Sequence, residues 1–255
     1  MRIVRFTPGP DAGLGQDPLF GILEDDATIS IISGDPIYSG IQKTAAKIEL
    51  NKVRLLAPII PRSKVVCVGK NYADHAAEMG GVVPEEPIIF LKPNTSVIGP
   101  NDTIVWPDMS ERIDHEAELA IVIGRICKDV PVERVNDVIF GYTIANDVTA
   151  RDLQKKDGQW TRAKGFDTFC PIGPWVDTDF VPGTQKITAT IAGEVKQSAQ
   201  ISDMIFDVPT IVNFVSRVMT LLPGDIILTG TPAGIGPMVA GEKATMAIEG
   251  LGELT

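Results

Sequence analysis

Short apolar segments bounded by Gly, Pro or Asp recur along this chain, and they restrict it to a fold made mainly of β-strands. The six clearest segments beyond residue 64 are Val65–Val68, Ile88–Leu91, Leu119–Ile123, Val138–Ala145, Ile187–Ile191 and Asp225–Leu228. Strands do not alternate regularly with helices, which argues against a doubly wound parallel sheet. We therefore predict a strand-dominated α+β fold.

Helical patterns are fewer. Three segments have apolar residues three and four apart, or capping and stop residues at their ends: Pro209–Leu222, Thr149–Asp157 and Tyr72–Met79. The first is followed by the stop signal Pro223-Gly224, and the second opens with Thr149 and Asp152 in the spacing of a capping box. We expect these three helices within a fold that is otherwise made of strands.

The first 57 residues have a pattern of their own. Three short strand segments, Arg2–Phe6, Leu19–Leu23 and Ala27–Ile32, are separated by turn residues. The segment Pro58–Pro61 then forms a stiff, extended connector, because each proline fixes its own φ and keeps its predecessor out of the α region. We predict a small N-terminal β-rich domain over residues 1–57 and a larger domain over residues 58–255.

Charge and cysteine content limit the partners and the compartment. Asp and Glu number 33 against 23 Lys and Arg, a formal net charge of -10, which disfavours nucleic acid and anionic membranes as partners. An anionic substrate would need a local cation. The three cysteines form no C-x-x-C pair, and neither a targeting segment nor a membrane-length apolar run is evident. We expect a soluble, unprocessed cytoplasmic protein.

A pair of glutamates is the strongest chemical signal. Glu116 and Glu118 precede the apolar run Leu119–Ile123, and residues two apart share one face of a strand. A solvent-facing pair is the simpler interpretation of such spacing. The near-unbroken apolar run instead favours burial on both faces, and buried carboxylates of like sign need a cation. Two carboxylates with a third oxygen ligand would suit Mg²⁺ or Mn²⁺.

Asp147 is a candidate for the third carboxylate. It follows the apolar strand Val138–Ala145, where the next loop can carry a side chain into a pocket. Asp is also a preferred N-cap residue, so Asp147 could instead cap the helix that starts near Thr149. The pattern alone leaves both interpretations open.

Only two histidines, His75 and His115, are available for proton transfer. His75 and Glu78 are three residues apart and would share a helix face, where the carboxylate could hold one ring nitrogen and leave the other as a general base. A solvated helix face is the alternative. Glycines at 69, 80 and 81 would allow the segment to move as a lid.

Six motifs occur in a fixed order along the chain: Gly69-Lys-Asn-Tyr-Ala-Asp-His-Ala-Ala-Glu78, Phe90-Leu-Lys-Pro93, His115-Glu-Ala-Glu-Leu119, Asn146-Asp-Val-Thr-Ala-Arg-Asp-Leu-Gln154, Lys164-Gly-Phe-Asp167 and Leu228-Thr-Gly-Thr-Pro232. Together they resemble the fumarylacetoacetate hydrolase superfamily over about residues 64–250. The branch they resemble most contains acylpyruvate hydrolases and oxaloacetate decarboxylases. The N-terminal part resembles the small β domain that many bacterial members carry.

The resemblance implies a mixed β-roll, a homodimer and a Mg²⁺ or Mn²⁺ site. It implies metal ligation by Glu116, Glu118 and Asp147, a lid dyad of His75 and Glu78, Lys164 as a cation in the site, and substrate contacts from Arg151, Gln154, Thr231 and Lys92. For Thr231 an ordinary turn is the alternative, and for Lys92 the alternative is a loop lysine that stabilises the fold. Relatives usually continue beyond the last residues, 250–255, through a final strand, so a trimmed or disordered tail is expected.

The implied activity is metal-dependent cleavage of a carbon–carbon bond in a small anionic 2-oxo acid, through a pyruvate enolate. Oxaloacetate decarboxylase and acylpyruvate hydrolase are the main expectations. The alternative is a 2-hydroxyhepta-2,4-diene-1,7-dioate isomerase or 5-oxopent-3-ene-1,2,5-tricarboxylate decarboxylase of aromatic catabolism. A non-catalytic scaffold member would be favoured by the loss of a metal carboxylate or of the dyad, and this sequence retains them all.

Overall fold

The computed structural model describes all of residues 1–255, and strands dominate it, as predicted. Five strands come from the N-terminal segment: β1 (Arg2–Pro8), β2 (Leu19–Leu23), β3 (Thr28–Ile32), β4 (Lys43–Glu49) and β5 (Val53–Leu56). A short helix, α1 (Pro36–Ser39), lies between β3 and β4.

Fourteen further strands follow: β6 (Val65–Gly69), β7 (Ile88–Lys92), β8 (Val97–Ile98), β9 (Ile113–His115), β10 (Ala117–Ile123), β11 (Ile139–Asn146), β12 (Thr149–Ala150), β13 (Cys170–Asp177), β14 (Lys186–Ile191), β15 (Glu194–Gln200), β16 (Ile226–Leu228), β17 (Gly236–Pro237), β18 (Ala244–Ile248) and β19 (Gly252–Leu254). All six strand segments predicted beyond residue 64 are among them. Their ends differ from the predictions by no more than two residues.

Twelve strands form one mixed sheet, whose main path runs β4-β3-β2-β1-β13-β11-β10-β16-β6-β7, with β5 beside β1 and β8 beside β13. The N-terminal strands join the rest through β1, where Arg2 and Ile3 lie opposite Asp177 and Val176 of β13. The strands of the first 57 residues therefore continue the main sheet. The division of the chain at residues 57 and 58 stays a prediction.

Strand pairing brings four chain segments to one end of this sheet. β10 and β11 are antiparallel with Ala117 opposite Asn146, so the start of β10 meets the end of β11. β16 is antiparallel to β10 and parallel to β6, so the segments that follow Leu228 and Gly69 reach the same end. Each of the four segments carries a predicted site residue.

Two smaller sheets complete the strand framework. One has the order β12-β9-β17 and the other β15-β14-β18-β19. β19 pairs with β18, so the last residues form an ordered strand up to Leu254, and the expectation of a disordered tail is wrong. All seven residues of β10 are buried, which confirms the burial that the apolar run predicts.

The remaining α-helices are short: α2 (Ala73–Glu78), α3 (Arg151–Asp157), α4 (Thr161–Lys164) and α5 (Val208–Val218). Five 3-10 turns cover Pro10–Ala12, Leu50–Lys52, Asn94–Ser96, Val132–Asp137 and Ile201–Asp203. The Asp207 carboxylate caps α5 by accepting a 2.9 Å hydrogen bond from the Thr210 N–H. α5 ends one turn earlier than predicted, because Leu221 exchanges two 2.9 Å backbone hydrogen bonds with Cys127.

The helix predicted from Thr149 begins at Arg151 instead. Thr149 lies opposite Asp114 in the β12–β9 pair, so its backbone is extended. The Asp152 carboxylate accepts a 2.6 Å hydrogen bond from Ser110 Oγ and does not reach back to Thr149. The capping-box interpretation is therefore wrong, since strand pairing uses the residue that would have been the cap.

None of the helices is both long and apolar enough to cross a lipid bilayer.

Candidate active site

A polar cavity of about 210 Å³ opens at the end of the main sheet where the four segments meet. Eight of the ten predicted site residues line it: His75, Glu116, Glu118, Asp147, Arg151, Gln154, Lys164 and Thr231. Glu78 lies behind His75, and Lys92 lies behind Asp147. A larger and mostly apolar cavity of about 640 Å³ contains none of the ten.

The three predicted ligand carboxylates meet in this cavity. One oxygen from each of Glu116, Glu118 and Asp147 lies within 4.8 Å of the others, and all three side chains are buried. The pairing of β10 with β11 brings them together. A solvent-facing glutamate pair is therefore wrong. Asp147 is not a helix cap either, because α3 begins after Ala150 and has no side-chain cap.

Positive charge reaches two of the three carboxylates. Lys164 Nζ donates hydrogen bonds of 2.7 Å to Glu116 Oε2 and 2.6 Å to Asp147 Oδ2. Glu118 accepts one hydrogen bond, 2.6 Å from the Gly230 N–H, and has no ion pair. Burial alone would raise the pKa of Glu116, but Lys164 and Arg151 hold it well below its usual range. Burial, Asp147 and Glu116 raise the pKa of Glu118.

A divalent cation fits this set of donors. All three groups offer hard oxygen ligands of the kind that Mg²⁺ and Mn²⁺ prefer. The Glu118 carboxylate is buried beside two others without a cationic partner, which is unfavourable for its charged form. The charge of a bound cation would compensate it. The oxygen donors of Glu116, Glu118 and Asp147 and the distances between them are thus compatible with a divalent cation.

Lys92 contacts Asp147 and lies outside the cavity lining. Its ammonium is fully buried, donates a 2.6 Å hydrogen bond to Asp147 Oδ1 and a 3.2 Å hydrogen bond to the Val148 carbonyl, and does not line the cavity. This position supports the alternative, a lysine that stabilises the fold, and a direct substrate contact at Lys92 stays a prediction. Lys92 lies at the end of β7, where it neutralises and orients Asp147 from the side away from the cavity.

His75 is placed to act on a molecule in the cavity. It lies in α2, and its Nδ1 is 3.2 Å from Glu78 Oε2, as the three-residue spacing predicts. Because an ionised carboxylate can only accept hydrogen bonds, this contact would place the proton of a neutral imidazole on Nδ1 and leave Nε2 as the acceptor. His115 is buried outside the cavity lining, with both ring nitrogens unpartnered. His75 is therefore the histidine available for proton transfer.

Arg151 is held from three sides. Its guanidinium donates to Asp114 Oδ2 at 2.9 Å, to Gln154 Oε1 at 2.7 Å, and to Glu116 Oε1. Asp114 is fully buried and also pairs with Arg112. Asp114 was not predicted as a site residue, although it shares the strand alternation of Glu116 and Glu118, and that alternation could have identified it.

Seven other lining residues were not assigned from the sequence, among them Lys70, Lys155, Phe90 and Trp160. Lys70 and Lys155 line the cavity and form no ion pair or side-chain hydrogen bond. Phe90 and Trp160 form part of its apolar wall, with their ring centroids 5.1 Å apart in an edge-on arrangement. No short motif marks these positions as a group, because they come from four separate segments that only the fold brings together.

Thr231 also lines the cavity, and its hydroxyl donates a 2.9 Å hydrogen bond to the Ala117 carbonyl. The preceding Gly230 has φ +97° and approaches Asn71 so closely that an added Cβ would lie 2.6 Å from the Asn71 Cβ. Only glycine fits there. The loop is thus more than an ordinary surface turn, since it is packed against both β10 and Asn71, which lies just before α2.

Two family profiles match this chain. The profile described as fumarylacetoacetate (FAA) hydrolase C-terminal matches residues 64–255, and the Rv2993c-like N-terminal profile matches residues 1–58. The chain is 60% identical over 225 residues to Protein Rv2993c of Mycobacterium tuberculosis, covering 87% of this chain and 83% of that protein. It is 46% identical over 198 residues to the mitochondrial oxaloacetate tautomerase FAHD1 of Arabidopsis thaliana, covering 75% and 89%.

Two solved structures are also similar. A 5-carboxymethyl-2-hydroxymuconate delta-isomerase from Mycobacterium smegmatis has a TM-score of 0.91 at 48% identity, covering 100% of this chain and 97% of that one. A maleylpyruvate hydrolase from Sphingobium sp. SYK-6, solved in complex with manganese (II) ion and pyruvate, has a TM-score of 0.80 at 30% identity, with the same coverage.

Proposed function

Because the chain belongs to the fumarylacetoacetate hydrolase family, we propose that it cleaves the C3–C4 bond of a small 2-oxo dicarboxylate, with oxaloacetate as the substrate. Members of this family are metal-dependent enzymes that act on carbon–carbon bonds or isomerise their substrates. One observation carries the proposal: a 210 Å³ cavity holds three converging carboxylates, a histidine with a free nitrogen and two unpaired lysines. Hydrolysis of a short acylpyruvate is the close variant of this reaction.

Glu116, Glu118 and Asp147 would hold Mg²⁺ or Mn²⁺ in this proposal. When bound, the cation supplies Lewis-acid stabilisation of the negative charge that develops on a 2-oxo oxygen. Lys164 lies 2.7 Å from Glu116 and 2.6 Å from Asp147, so its ammonium adds positive charge at the same end of the cavity. Burial alone would lower the pKa of Lys164, but Asp147 and Glu116 raise it, so Lys164 stays charged.

Lys70 and Lys155 would receive the substrate's second carboxylate. Both side chains line the cavity and neither forms an ion pair, whereas the three nitrogens of Arg151 already have partners. A chain with a net charge of -10 would repel a dianion, so these two lysines supply the local attraction that the substrate needs. Arg151 then acts mainly by holding Glu116 and Gln154 in place.

His75 would handle the proton. As the C3–C4 bond of oxaloacetate breaks, carbon dioxide leaves and the electron pair stays on the enolate, whose C3 must then be protonated. The free Nε2 of His75 can carry that proton, since Glu78 holds the opposite nitrogen. With an acylpyruvate, the same nitrogen would activate the water that attacks the C4 carbonyl.

Tautomerisation of oxaloacetate is the second candidate. It requires one group that moves a proton between C3 and the 2-oxo oxygen, and His75 is the one histidine that lines the cavity. The relative named an oxaloacetate tautomerase supports this candidate. The isomerase alternative needs a similar proton transfer on a longer substrate, and the similar structure named as a delta-isomerase supports it.

The deciding experiment follows enol-oxaloacetate and pyruvate in one reaction containing purified protein and Mn²⁺. A blank with Mn²⁺ alone is needed, because the free ion can itself act as a Lewis acid. We expect pyruvate to form faster than in the blank, with a higher kcat/KM for oxaloacetate than for acetylpyruvate. If the enol disappears rapidly and no pyruvate forms above the blank, the proposed activity is tautomerisation and decarboxylation is contradicted. Activity towards neither substrate would contradict both.

A further inference from the structure

Gln197 is a buried polar residue on a strand that is otherwise open to solvent. β15 is the edge strand of the four-stranded sheet, and Gln197 is its only buried residue, with no exposed surface. Its neighbours Lys196 and Ser198 are exposed. A polar side chain in that position is unfavourable unless its hydrogen bonds are satisfied, so the contacts of this amide explain its presence.

The Gln197 amide uses both of its N–H groups and its oxygen. Oε1 accepts a 2.9 Å hydrogen bond from the Ala117 N–H, while Nε2 donates to Thr231 Oγ1 at 2.8 Å and to the Pro232 carbonyl at 2.7 Å. Rotating the amide by half a turn would place donor against donor at Ala117 and acceptor against acceptor at Pro232. The orientation of the amide is therefore fixed.

Gln197 and Thr231 form a closed ring of hydrogen bonds with the backbone of Ala117. Ala117 lies between Glu116 and Glu118, and its carbonyl accepts from the Thr231 hydroxyl, which in turn accepts from Gln197. Both polar backbone atoms of Ala117 are thus held by Gln197 and Thr231. The same loop supplies the Gly230 N–H that binds Glu118 Oε2 at 2.6 Å.

β15 contacts this loop at a second point. Gly234 has φ +96°, and an added Cβ would lie 2.1 Å from the Lys196 carbonyl, so strand and loop are in direct backbone contact. The Gly234 N–H donates to Glu78, at 3.1 Å to Oε1. β15, which belongs to a separate sheet, therefore packs against the loop of residues 230–234. That loop donates hydrogen bonds to Glu118 and to Glu78.

We propose that Gln197 is a positioning residue that fixes the spacing of Glu116 and Glu118, and thereby the affinity of the site for a divalent cation. This role rests on the proposed function, because it takes the three carboxylates as the cation site. Gln197 does not line the cavity and touches no reacting atom; it acts through Ala117, Thr231 and Pro232. Hydrogen-bonding partners of metal ligands commonly change metal affinity in this way.

The test is a Mn²⁺ titration that follows the signal of the free ion, with no substrate present. Gln197→Met keeps the length of the side chain and removes its hydrogen bonds, and it should raise the Kd for Mn²⁺ about 10- to 100-fold. Gln200→Met is the matched control, since Gln200 is exposed on the same strand; it should bind Mn²⁺ as the wild type does. Thermal unfolding of each variant shows whether it is folded.

A merely structural role would lower the melting temperature of Gln197→Met and leave the Kd for Mn²⁺ of the folded protein within twofold of wild type. That result would overturn the proposal. If Gln197→Met does not fold, Gln197→Asn, which withdraws the amide by one methylene, replaces it with the same expectation. In the double variant Gln197→Met with Thr231→Val, the Kd for Mn²⁺ should rise no further than in the single variant that binds Mn²⁺ more weakly, because the two side chains act as one unit. Additive losses of affinity would contradict this. Absence of Mn²⁺ binding by the wild type would instead refute the cation site itself.

Discussion

Glu118→Gln is expected to abolish Mn²⁺ binding and to lower kcat/KM on the order of 10³-fold, while the protein stays folded. The Glu118 carboxylate is buried beside two others, and the Gly230 N–H is its one hydrogen-bond donor. The amide oxygen of glutamine can still accept that bond. The substitution therefore removes one negative charge from the ligand set. It leaves no buried cation without a counter-charge, because Glu118 has no ion pair. We expect the free energy of unfolding to stay within about 1 kcal/mol of wild type.

The corresponding substitution at Asp147 should lower the free energy of unfolding, unlike Glu118→Gln. Asp147→Asn should also abolish Mn²⁺ binding, but it leaves the buried ammonium groups of Lys92 and Lys164 without a full counter-charge. Breaking a buried ion pair costs about 3–5 kcal/mol, so this variant should be measurably less stable than Glu118→Gln. Glu253→Gln, at an exposed position in β19, is the control. A Glu118 or Asp147 variant that retains stoichiometric Mn²⁺ would remove that residue from the ligand set.

His75→Ala should lower kcat for acylpyruvate hydrolysis about 10²- to 10⁴-fold, the range typical of general base catalysis. Hydrolysis needs a base to activate water, and His75, whose Nδ1 contacts Glu78, lines the cavity that would hold the substrate. Decarboxylation of oxaloacetate needs no activated water, because the leaving group is carbon dioxide. The loss of kcat for decarboxylation should therefore be smaller.

Glu78→Gln separates the two chemistries in the intact site. It weakens the basicity and orientation of His75 through the 3.2 Å contact and leaves the three carboxylates unchanged. Hydrolysis should suffer more than decarboxylation. Asp74→Asn, exposed on the same helix, controls for the loss of a charge in α2 and should change neither rate. Equal proportional losses in Glu78→Gln would mean that the dyad acts through closure of the lid, and that a water-activating base is the wrong assignment.

Local patterns in the sequence predicted much of this site for a physical reason. Glu116 and Glu118 are two residues apart on a strand whose apolar run continues on both faces, so spacing and burial could be inferred together. His75 and Glu78 lie one helical turn apart, which local geometry also fixes. The strand-dominated fold follows from the same kind of short-range information.

Long-range placement was the part that local patterns could not supply. Lys92 lies in a motif next to the site, yet the fold directs its side chain to the far side of Asp147. Gln197 is 80 residues from Ala117 in sequence, and its role depends on how a separate sheet packs against the main one. The helix start at Thr149 failed because a tertiary strand pair with Asp114 took precedence over the capping pattern.

Exchange of the C3 protons of pyruvate in D₂O tests the central claim most directly, because that exchange requires the pyruvate enolate through which both proposed cleavage reactions pass. Pyruvate would be incubated with the protein and Mn²⁺, and deuterium incorporation into its methyl group followed by mass spectrometry against a Mn²⁺ blank. We predict loss of the methyl protons that is faster than in the blank, that stops on addition of EDTA, and that is absent in Glu118→Gln. Exchange at the rate of the blank, with Mn²⁺ bound to the wild-type protein, would contradict the claim that this cavity stabilises a 2-oxo acid enolate.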